Sequence, residues 1–395
     1  MREVLDELVA QWRQGKPTAV GTVVSTYRSA PRPAGASMLV TSDERAVGSV
    51  SGGCVEGAVF ELGQQVLVEH TPVLQRYGVS DDDAFTVGLT CGGLIDVFVE
   101  RVDPASFPEL DEVAASVARK EPVAVVTVVA HRDAQRVGLR MVVWPDRHSG
   151  TVCSSQQGSS GGSSRADEAI LEDARGALAA GRTVTLHYGP EGQRRGEGMS
   201  VFVNSLDPPP RMLVFGAIDF AAAMARMGVF LGYHVTVCDA RPVFATRSRF
   251  PDAHEVVVNW PHRYLRAEAE AGRIDQRTVV TVLTHDPKFD VPVLIEALRL
   301  DLAYIGAMGS RKTHQNRELR LREAGVTDAE LSRIASPIGL DLGARTPEET
   351  AVSIAAEIIS LRWGGDATRL VKAEGPIHGA HPIAQPEPAP EPAQA

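Results

Sequence analysis

The apolar residues of the chain open with a helical pattern and continue in short strand-like runs. The residues that share the first helical face are Val4, Leu5, Leu8, Val9 and Trp12. Apolar runs bounded by turn residues then predict strands at 19–26, 37–40, 47–50, 94–100, 123–129, 139–143, 182–188 and 199–204. Helices are predicted at 55–69 and 166–180. This mixture indicates an N-terminal domain of mixed α/β structure.

A different pattern begins after the proline run at 207–210, which can neither continue a helix nor donate to a sheet. Five short and mostly apolar runs follow, namely MLVFG, HVTVCDA, EVVVNW, TVVTVLTH and AYIGAMG. Helical stretches separate most of them, which is typical of a doubly wound parallel sheet. We therefore predict an α/β protein with a mixed domain over 1–206 and a Rossmann-like domain over 211–364.

Two segments have compositions that cannot bury a core. Residues 153–165 are rich in Ser and Gly, so we expect a mobile loop there. Residues 365–395 are rich in Pro and Ala, and we expect this tail to be disordered.

Length and charge exclude several classes of protein. The 395 residues, 44% of them hydrophobic, are enough for two cores. A net charge of −10 without a basic stripe disfavours nucleic acid as a partner. No signal peptide or apolar run long enough for a membrane span is present in the sequence. Four cysteines, at 54, 91, 153 and 238, do not form a secreted disulfide framework, so we expect free thiols and a cytoplasmic location.

The segment GSVSGGCVEG at 48–57 places Cys54 between a predicted strand and a predicted helix. Unpaired N–H groups and the helix dipole favour a thiolate at such a position. Gly52 and Gly53 would let a ligand approach the backbone, and together with Ser51 they could form an anion-binding concavity. The alternative is a tight turn in which a small Cys54 only packs.

A second glycine-flanked cysteine lies in GLTCGG at 88–93. Cys91, Gly92 and Gly93 are therefore further candidates for ligand contact. Neither cysteine belongs to a CxxC motif, and no His pair has zinc spacing, so a structural zinc site is disfavoured. The alternative is a turn at Gly93 with Cys91 filling the core.

The Rossmann-like domain carries an incomplete dinucleotide fingerprint after its first strand. Gly216 occupies the first glycine position, but Ile218 stands at the second, where backbone meets pyrophosphate. Asp239, 23 residues after Gly216, has the position of an acid that binds a ribose 2′-OH. We therefore expect NAD(P) to bind weakly or not at all, and a scaffold without dinucleotide is the alternative.

A third candidate site is GAMGSRK at 306–312, where a strand leads into a helix. Gly309, Ser310 and Lys312 could hold a phosphate together with backbone N–H groups. The alternative is a plain helix cap by Ser310.

Together these motifs resemble the xanthine dehydrogenase accessory protein family (XdhC/CoxI). The segments that carry the resemblance are GSVSGGCVEG, APRPAGASML, GLTCGG, the THD at 284–286, YIGAMGSRK and PIGLDLGARTPEETAVSIAAEII. They occur in the family's order and span most of the chain. The chain differs from the family at Ile218, where glycine is usual, and at Asp219, where His is common.

The resemblance implies a function. Members of this family are thought to bind the molybdenum cofactor, assist its sulfuration and deliver it to xanthine dehydrogenase or carbon monoxide dehydrogenase type enzymes. Cys54 and Cys91 match the family's glycine-flanked cysteines, so they become the expected contacts to molybdopterin or its cytosine dinucleotide. Cys54 is the candidate for contact with molybdenum and for a sulfur relay, and no dedicated metal site is expected. The implied partners are a client molybdenum hydroxylase, a cysteine desulfurase and a second copy of the chain.

Two other functions remain as alternatives, an NAD(P)-dependent oxidoreductase and a catalytically silent interaction module. The chain is not itself a xanthine dehydrogenase, because four cysteines cannot supply the eight thiolates of two [2Fe–2S] clusters. We therefore expect an accessory protein rather than a turnover enzyme.

Overall fold

The structure is a computed structural model that describes residues 1–27, 30, 32–78, 93–153, 165–194 and 196–372. The chain divides into two compact units, Met1–Pro208 and Pro209–Glu374. Most of the Ser/Gly-rich segment, at 154–164, and the tail at 373–395 lie outside the described residues. No helix in the described part of the chain is both long and apolar enough to cross a lipid bilayer.

The first unit contains an antiparallel sheet that is built around a long central strand. Its strands are β1 (Thr18–Tyr27), β2 (Ser37–Thr41), β3 (Ala46–Gly48), β4 (Val73–Gly78) and β5 (Leu94–Val102). They lie in the order β3-β2-β1-β5-β4. Helix α1 (Leu5–Arg13) precedes the sheet, and α2 (Glu56–Glu69) covers one of its faces. A Cβ on Gly63 would come within 2.8 Å of Val40, so a glycine is what lets α2 approach the sheet closely.

A second antiparallel sheet follows in the same unit. Its strands are β6 (Ala124–His131), β7 (Arg140–Val143), β8 (His148–Gly150), β9 (Val184–Tyr188) and β10 (Met199–Ser205), in the order β8-β7-β6-β10-β9. Helix α3 (Leu110–Ala118) joins the two sheets, and α4 (Arg165–Ala179) covers the outer face of the second. Val24 and Phe98 of the first sheet pack against Val129 and Phe202 of the second. The unit is therefore layered as helix, sheet, sheet and helix.

The second unit is a parallel sheet with helices on both faces. Its strands are β11 (Arg211–Phe215), β12 (His234–Asp239), β13 (Glu255–Val258), β14 (Val279–Val282), β15 (Tyr304–Ala307) and β16 (Ile334–Ala335). Every pairing is parallel, in the order β13-β12-β11-β14-β15-β16. This is the strand order of a dinucleotide-binding fold, with its topological switch point between β11 and β14. The predicted Rossmann-like fold class is confirmed.

Two apolar clusters cover the two faces of the parallel sheet. The helices are α5 (Asp219–Phe230), α6 (Pro261–Glu270), α7 (Pro287–Leu298), α8 (Arg311–Glu323), α9 (Asp328–Leu331) and α10 (Pro347–Trp363). Helices α5 and α10 pack on one face. Helices α6, α7 and α8 pack on the other. Residues after the carboxyl ends of β11, β14 and β15 therefore meet at one edge, where ligands of such sheets bind.

Candidate functional site

The connection between β3 and α2, residues 49–55, holds the first candidate cysteine, and we call it the Cys54 loop. Gly48, the last residue of β3, directly precedes the loop with a φ of +87°, and a Cβ there would lie 2.4 Å from the carbonyl oxygen of Ser37. Gly52 and Gly53 continue it with φ of +79° and +121°. These values favour glycine, because a side chain at positive φ is strained. The glycines of the motif therefore shape the turn.

The loop is folded around the side chain of Glu56, the first residue of α2. One carboxylate oxygen accepts hydrogen bonds from the Ser49 hydroxyl at 2.6 Å and from the backbone N–H groups of Ser51 and Gly52 at 2.9 and 3.0 Å. The other accepts from the Ser51 hydroxyl at 2.6 Å and from the N–H of Gly53 at 2.8 Å. Burial opposes ionisation, but the two serine hydroxyls and the Ser51 N–H outweigh it and lower the pKa of Glu56 to about 2. Near neutral pH a negative charge therefore lies at the centre of the loop.

This arrangement corrects one expectation about the loop. The backbone does form an anion-binding concavity, but the anion is the chain's own carboxylate. The expectation of unpaired N–H groups beside Cys54 is wrong, since the N–H of Cys54 itself donates to the Ser51 hydroxyl at 2.9 Å. A phosphate could use these donors only by displacing Glu56. Any ligand contact of the loop is therefore made by its outer surface.

The outer surface of the loop consists of Gly52, Gly53 and Cys54. Both glycines are exposed, and among the described residues no heavy atom beyond the two chain neighbours lies within 4 Å of a Cβ built on either. Cys54 is half-buried, and its side chain packs against the cluster that contains Val50, Val55 and Val59. Cys54 forms no disulfide with the described residues. The loop thus combines a half-buried cysteine with two exposed glycines.

The second candidate cysteine lies beyond the part of the chain that the structure describes. Cys91 and Gly92 are both outside the described residues. Gly93 is buried and directly precedes β5, which pairs with β1 and β4. The contacts of Cys91 with a ligand therefore stay a prediction.

The dinucleotide position of the second unit has unusual contacts. Gly216 has a φ of +111°, and a Cβ there would lie 3.1 Å from the backbone nitrogen of Thr284, so the loops after β11 and β14 touch. Asp239 is only 2% exposed. Its carboxylate accepts from the Ala217 N–H at 2.8 Å and from the Arg241 guanidinium at 2.8 and 2.9 Å. Asp239 thus closes the Gly216 loop, whereas its position in the sequence predicted a contact with a ribose 2′-OH. Ile218 follows this loop as the N-cap residue of α5.

The third candidate site is a capped helix start. Gly309 has a φ of +152°, and the Ser310 hydroxyl accepts from the Thr313 N–H at 3.2 Å, which is a plain N-cap. Lys312 is exposed on the first turn of α8. The Ser310 hydroxyl oxygen therefore already accepts a hydrogen bond from the helix. Ser310 contributes less to the predicted phosphate site than the sequence indicated.

Beneath this helix start lies a buried ion pair. Arg317 donates to Asp290 at 3.0 Å and to the carbonyl of Met308 at 2.6 Å, and both charged side chains are nearly inaccessible. Thr284, from the THD segment, donates its hydroxyl to Asp290 at 2.8 Å. Burial raises the pKa of Asp290, although Thr284 and Arg317 act in the opposite direction. The THD segment is therefore a structural link between β14 and α7.

Sequence reasoning missed two residues of these sites, Glu56 and Arg241. The available signal for Glu56 was an acidic residue just after a Ser/Gly turn, because such a side chain can reach back to backbone N–H groups. Arg241 gave no such signal, since its role depends on the contact with Asp239. Among the described residues, no group of three His, Cys, Asp or Glu side chains could hold a metal ion.

Comparison with known families decides the identity of the chain. The sequence profile of the XdhC and CoxI family matches residues 11–78 and 116–189, which include the Cys54 loop. That of the XdhC Rossmann domain matches residues 212–358. The chain belongs to the XdhC and CoxI family. The family predicted from the motifs is thus confirmed, and both units of this XdhC-family protein are covered.

Relatives of this XdhC-family chain match over most of its length. It is 30% identical over 352 residues to a Bacillus subtilis protein named as a probable xanthine dehydrogenase subunit, covering 87% of this chain and 92% of the relative. It is 26% identical to the molybdenum cofactor insertion chaperone PaoD of Escherichia coli, covering 91% of this chain and 88% of PaoD. A crystal structure described as a xanthine dehydrogenase from Bacillus halodurans is similar, with a TM-score of 0.65, 26% identity and coverage of 90% and 95%.

Proposed function

We propose that this XdhC-family protein binds the molybdenum cofactor and assists its maturation and insertion into a molybdenum hydroxylase. The client would be of the xanthine dehydrogenase or carbon monoxide dehydrogenase type. The observation that carries the proposal is the Cys54 loop, a hydrogen-bonded turn that places a half-buried Cys54 beside two exposed glycines within the matched family region. The similarity to PaoD, named as an insertion chaperone, supports it.

The chemistry of the loop fits this cargo. Cysteine sulfur is a soft metal ligand, and its thiolate is also the nucleophile of sulfur exchange. The charge of Glu56 is enclosed by serine hydroxyls and N–H groups, so it is directed into the loop rather than toward a ligand. Cys54 would contact the molybdenum or carry sulfur for it, and Gly52 and Gly53 would allow the pterin to lie close to the backbone.

Several finer points belong to the same proposal. The cofactor would be molybdopterin or its cytosine dinucleotide, with Cys91 as a second contact. Sulfuration would require a cysteine desulfurase as a partner in the cytoplasm. The chain would act as an accessory protein and as a homo-oligomer.

Client maturation tests the proposal. A molybdenum hydroxylase is produced in cells that contain the wild-type protein, Cys54→Ser or Cys153→Ser, and its activity and molybdenum content are measured. Cys54→Ser changes one atom at a partly exposed turn, so it should fold normally and yet fail to activate the client. Cys153→Ser is the matched control and should support full activity. Equal client activity with both variants would show that Cys54 only packs.

The oxidoreductase alternative has its own test. Purified protein is mixed with NAD(P)H and candidate electron acceptors, and the absorbance of the nicotinamide is followed. We expect no hydride transfer, because the Asp239 carboxylate is buried beneath Arg241. Steady turnover would favour the oxidoreductase over the insertion factor.

A further inference from the structure

A cavity of about 230 Å³ lies in the second unit between α7 and α8. Its polar lining comes from both helices and from the residues that precede α7; it consists of His285, Asp290, Thr313, Asn316, Arg317 and Arg320. Thr313, Asn316 and Arg320 follow one another at helical spacing, so they project from one face of α8. The cavity therefore extends along α8 beyond the Ser310 cap.

Several side chains that line the cavity can donate hydrogen bonds to a ligand. Asp290 contributes the carboxylate of the lining, but its oxygens already accept from Thr284 and Arg317 at 2.8 and 3.0 Å. Arg317 is 5% exposed, and its Nε is buried without a hydrogen-bond partner among the described residues. The amide of Asn316 and the guanidinium of Arg320 add further donors. These donors suit a ligand that supplies acceptor oxygens.

The charges around the cavity also favour a ligand with acceptor oxygens. Arg317 and Asp290 neutralise each other at 3.0 Å. Arg320 forms no ion pair within the described part of the chain, and neither do Arg311 and Lys312 on the first turn of α8. In a chain with a net charge of −10, this is a local excess of positive charge that attracts anions.

We propose that this cavity binds the phosphate group of a phosphate ester. Phosphate has several acceptor oxygens and a charge that suits an unpaired arginine. The volume is below that of pockets for whole drug-sized ligands, about 300 Å³ or more, so the cavity takes the phosphate end of a ligand. The inference goes beyond the proposed function, because the site lies outside the Cys54 loop and needs neither molybdenum nor a client.

Calorimetric titration of the full chain tests the site with inorganic phosphate, pyrophosphate and CMP. We expect Arg320→Ala to weaken binding about tenfold or more, because it removes a charge-assisted hydrogen bond. Asn316→Ala should weaken binding about fivefold, and it alters no charge. Arg322→Ala is the matched control, since Arg322 lies on the same helix and pairs outside the cavity with Glu318 and Asp328 at 3.6 and 3.0 Å.

The outcomes distinguish a specific phosphate site from nonspecific electrostatic attraction. Selective weakening by Arg320→Ala and Asn316→Ala, with Arg322→Ala like the wild type, supports the site. Tighter binding of CMP than of phosphate would identify a nucleotide as the source of the phosphate. Tighter binding of phosphate than of CMP would indicate a simpler ester. Equal loss in Arg320→Ala and Arg322→Ala, or no binding of any of the three probes at millimolar concentration, would overturn it. Because this readout involves neither Cys54 nor a client enzyme, its failure is distinguishable from failure of the proposed function.

Discussion

The carboxylate of Glu56 determines the conformation of the Cys54 loop. It accepts hydrogen bonds from Ser49, Ser51 and Gly53, among others, so the loop backbone is turned inward. The two glycines then lie exposed on the outside of the loop, and Cys54 beside them is half-buried. The Glu56 side chain therefore positions Cys54 and the two glycines, which are the proposed contacts to the cofactor.

Replacement of Glu56 tests this role. In Glu56→Gln an amide NH₂ replaces one oxygen, so several N–H and hydroxyl donors lose their acceptor. We expect a loss of about 2 kcal/mol in the free energy of unfolding, which is typical when buried donors are left unpaired. Urea denaturation measures it. Glu61→Gln, an exposed change of the same kind on α2, should stay within about 0.5 kcal/mol of the wild type; equal effects of both changes would contradict the role of Glu56.

The same carboxylate predicts a pH dependence. The pKa of Glu56 is lowered from 4.5 to about 2 in the folded chain. Its contribution to stability is therefore complete above the unfolded pKa and is lost as the pH falls toward the folded pKa. We expect the stability difference between wild type and Glu56→Gln to be constant near neutral pH and to shrink below about pH 4.5. A difference that grows on acidification would contradict this assignment.

At the scale of elements, buried strands could be predicted and their pairing could not. The apolar runs of β11, β12 and β15 are continuous because helices cover both faces of a parallel sheet. The two antiparallel sheets of the first unit were not foreseen, since the pairing of β1 with β5 joins residues far apart in the sequence. Short strands such as β8 and β16 carry too few residues for a period.

For the candidate site, the positions of the residues could be predicted and their tertiary contacts could not. The motif located Cys54 between a strand and a helix because glycines and a helical period mark that boundary. The occupant of the backbone concavity was not predictable, since the Glu56 side chain had to reach back over the loop. Asp239 was located at its strand end, but its burial under Arg241 depends on tertiary contacts.

The loop after β11 predicts weak nicotinamide binding. Asp239 already accepts from Ala217 and Arg241, and Ile218 stands where a pyrophosphate needs close backbone approach. We expect a Kd for NAD⁺ weaker than about 1 mM in calorimetric titration. Ile218→Gly should strengthen any binding that is detected. Micromolar affinity of the wild-type chain would show that Asp239 and Arg241 rearrange to admit the ribose.

At the scale of the whole molecule, the family relationship covers both units. The XdhC and CoxI profile matches the first unit, and the XdhC Rossmann profile matches the second. PaoD matches over 91% of the chain, so the similarity is not confined to a generic nucleotide-binding fold. The proposed maturation function therefore concerns the whole chain and is not confined to the unit that contains the Cys54 loop.

Cofactor retention tests the central claim most directly. The full chain and its Cys54→Ser and Cys153→Ser variants are purified from a molybdenum-replete host, and oxidised pterin fluorescence and molybdenum are measured per mole of protein. We predict that wild type and Cys153→Ser carry pterin and that Cys54→Ser carries little, while all three unfold at the same urea concentration. Repeated absence of pterin from the wild-type protein, or equal pterin in all three proteins, would contradict the account.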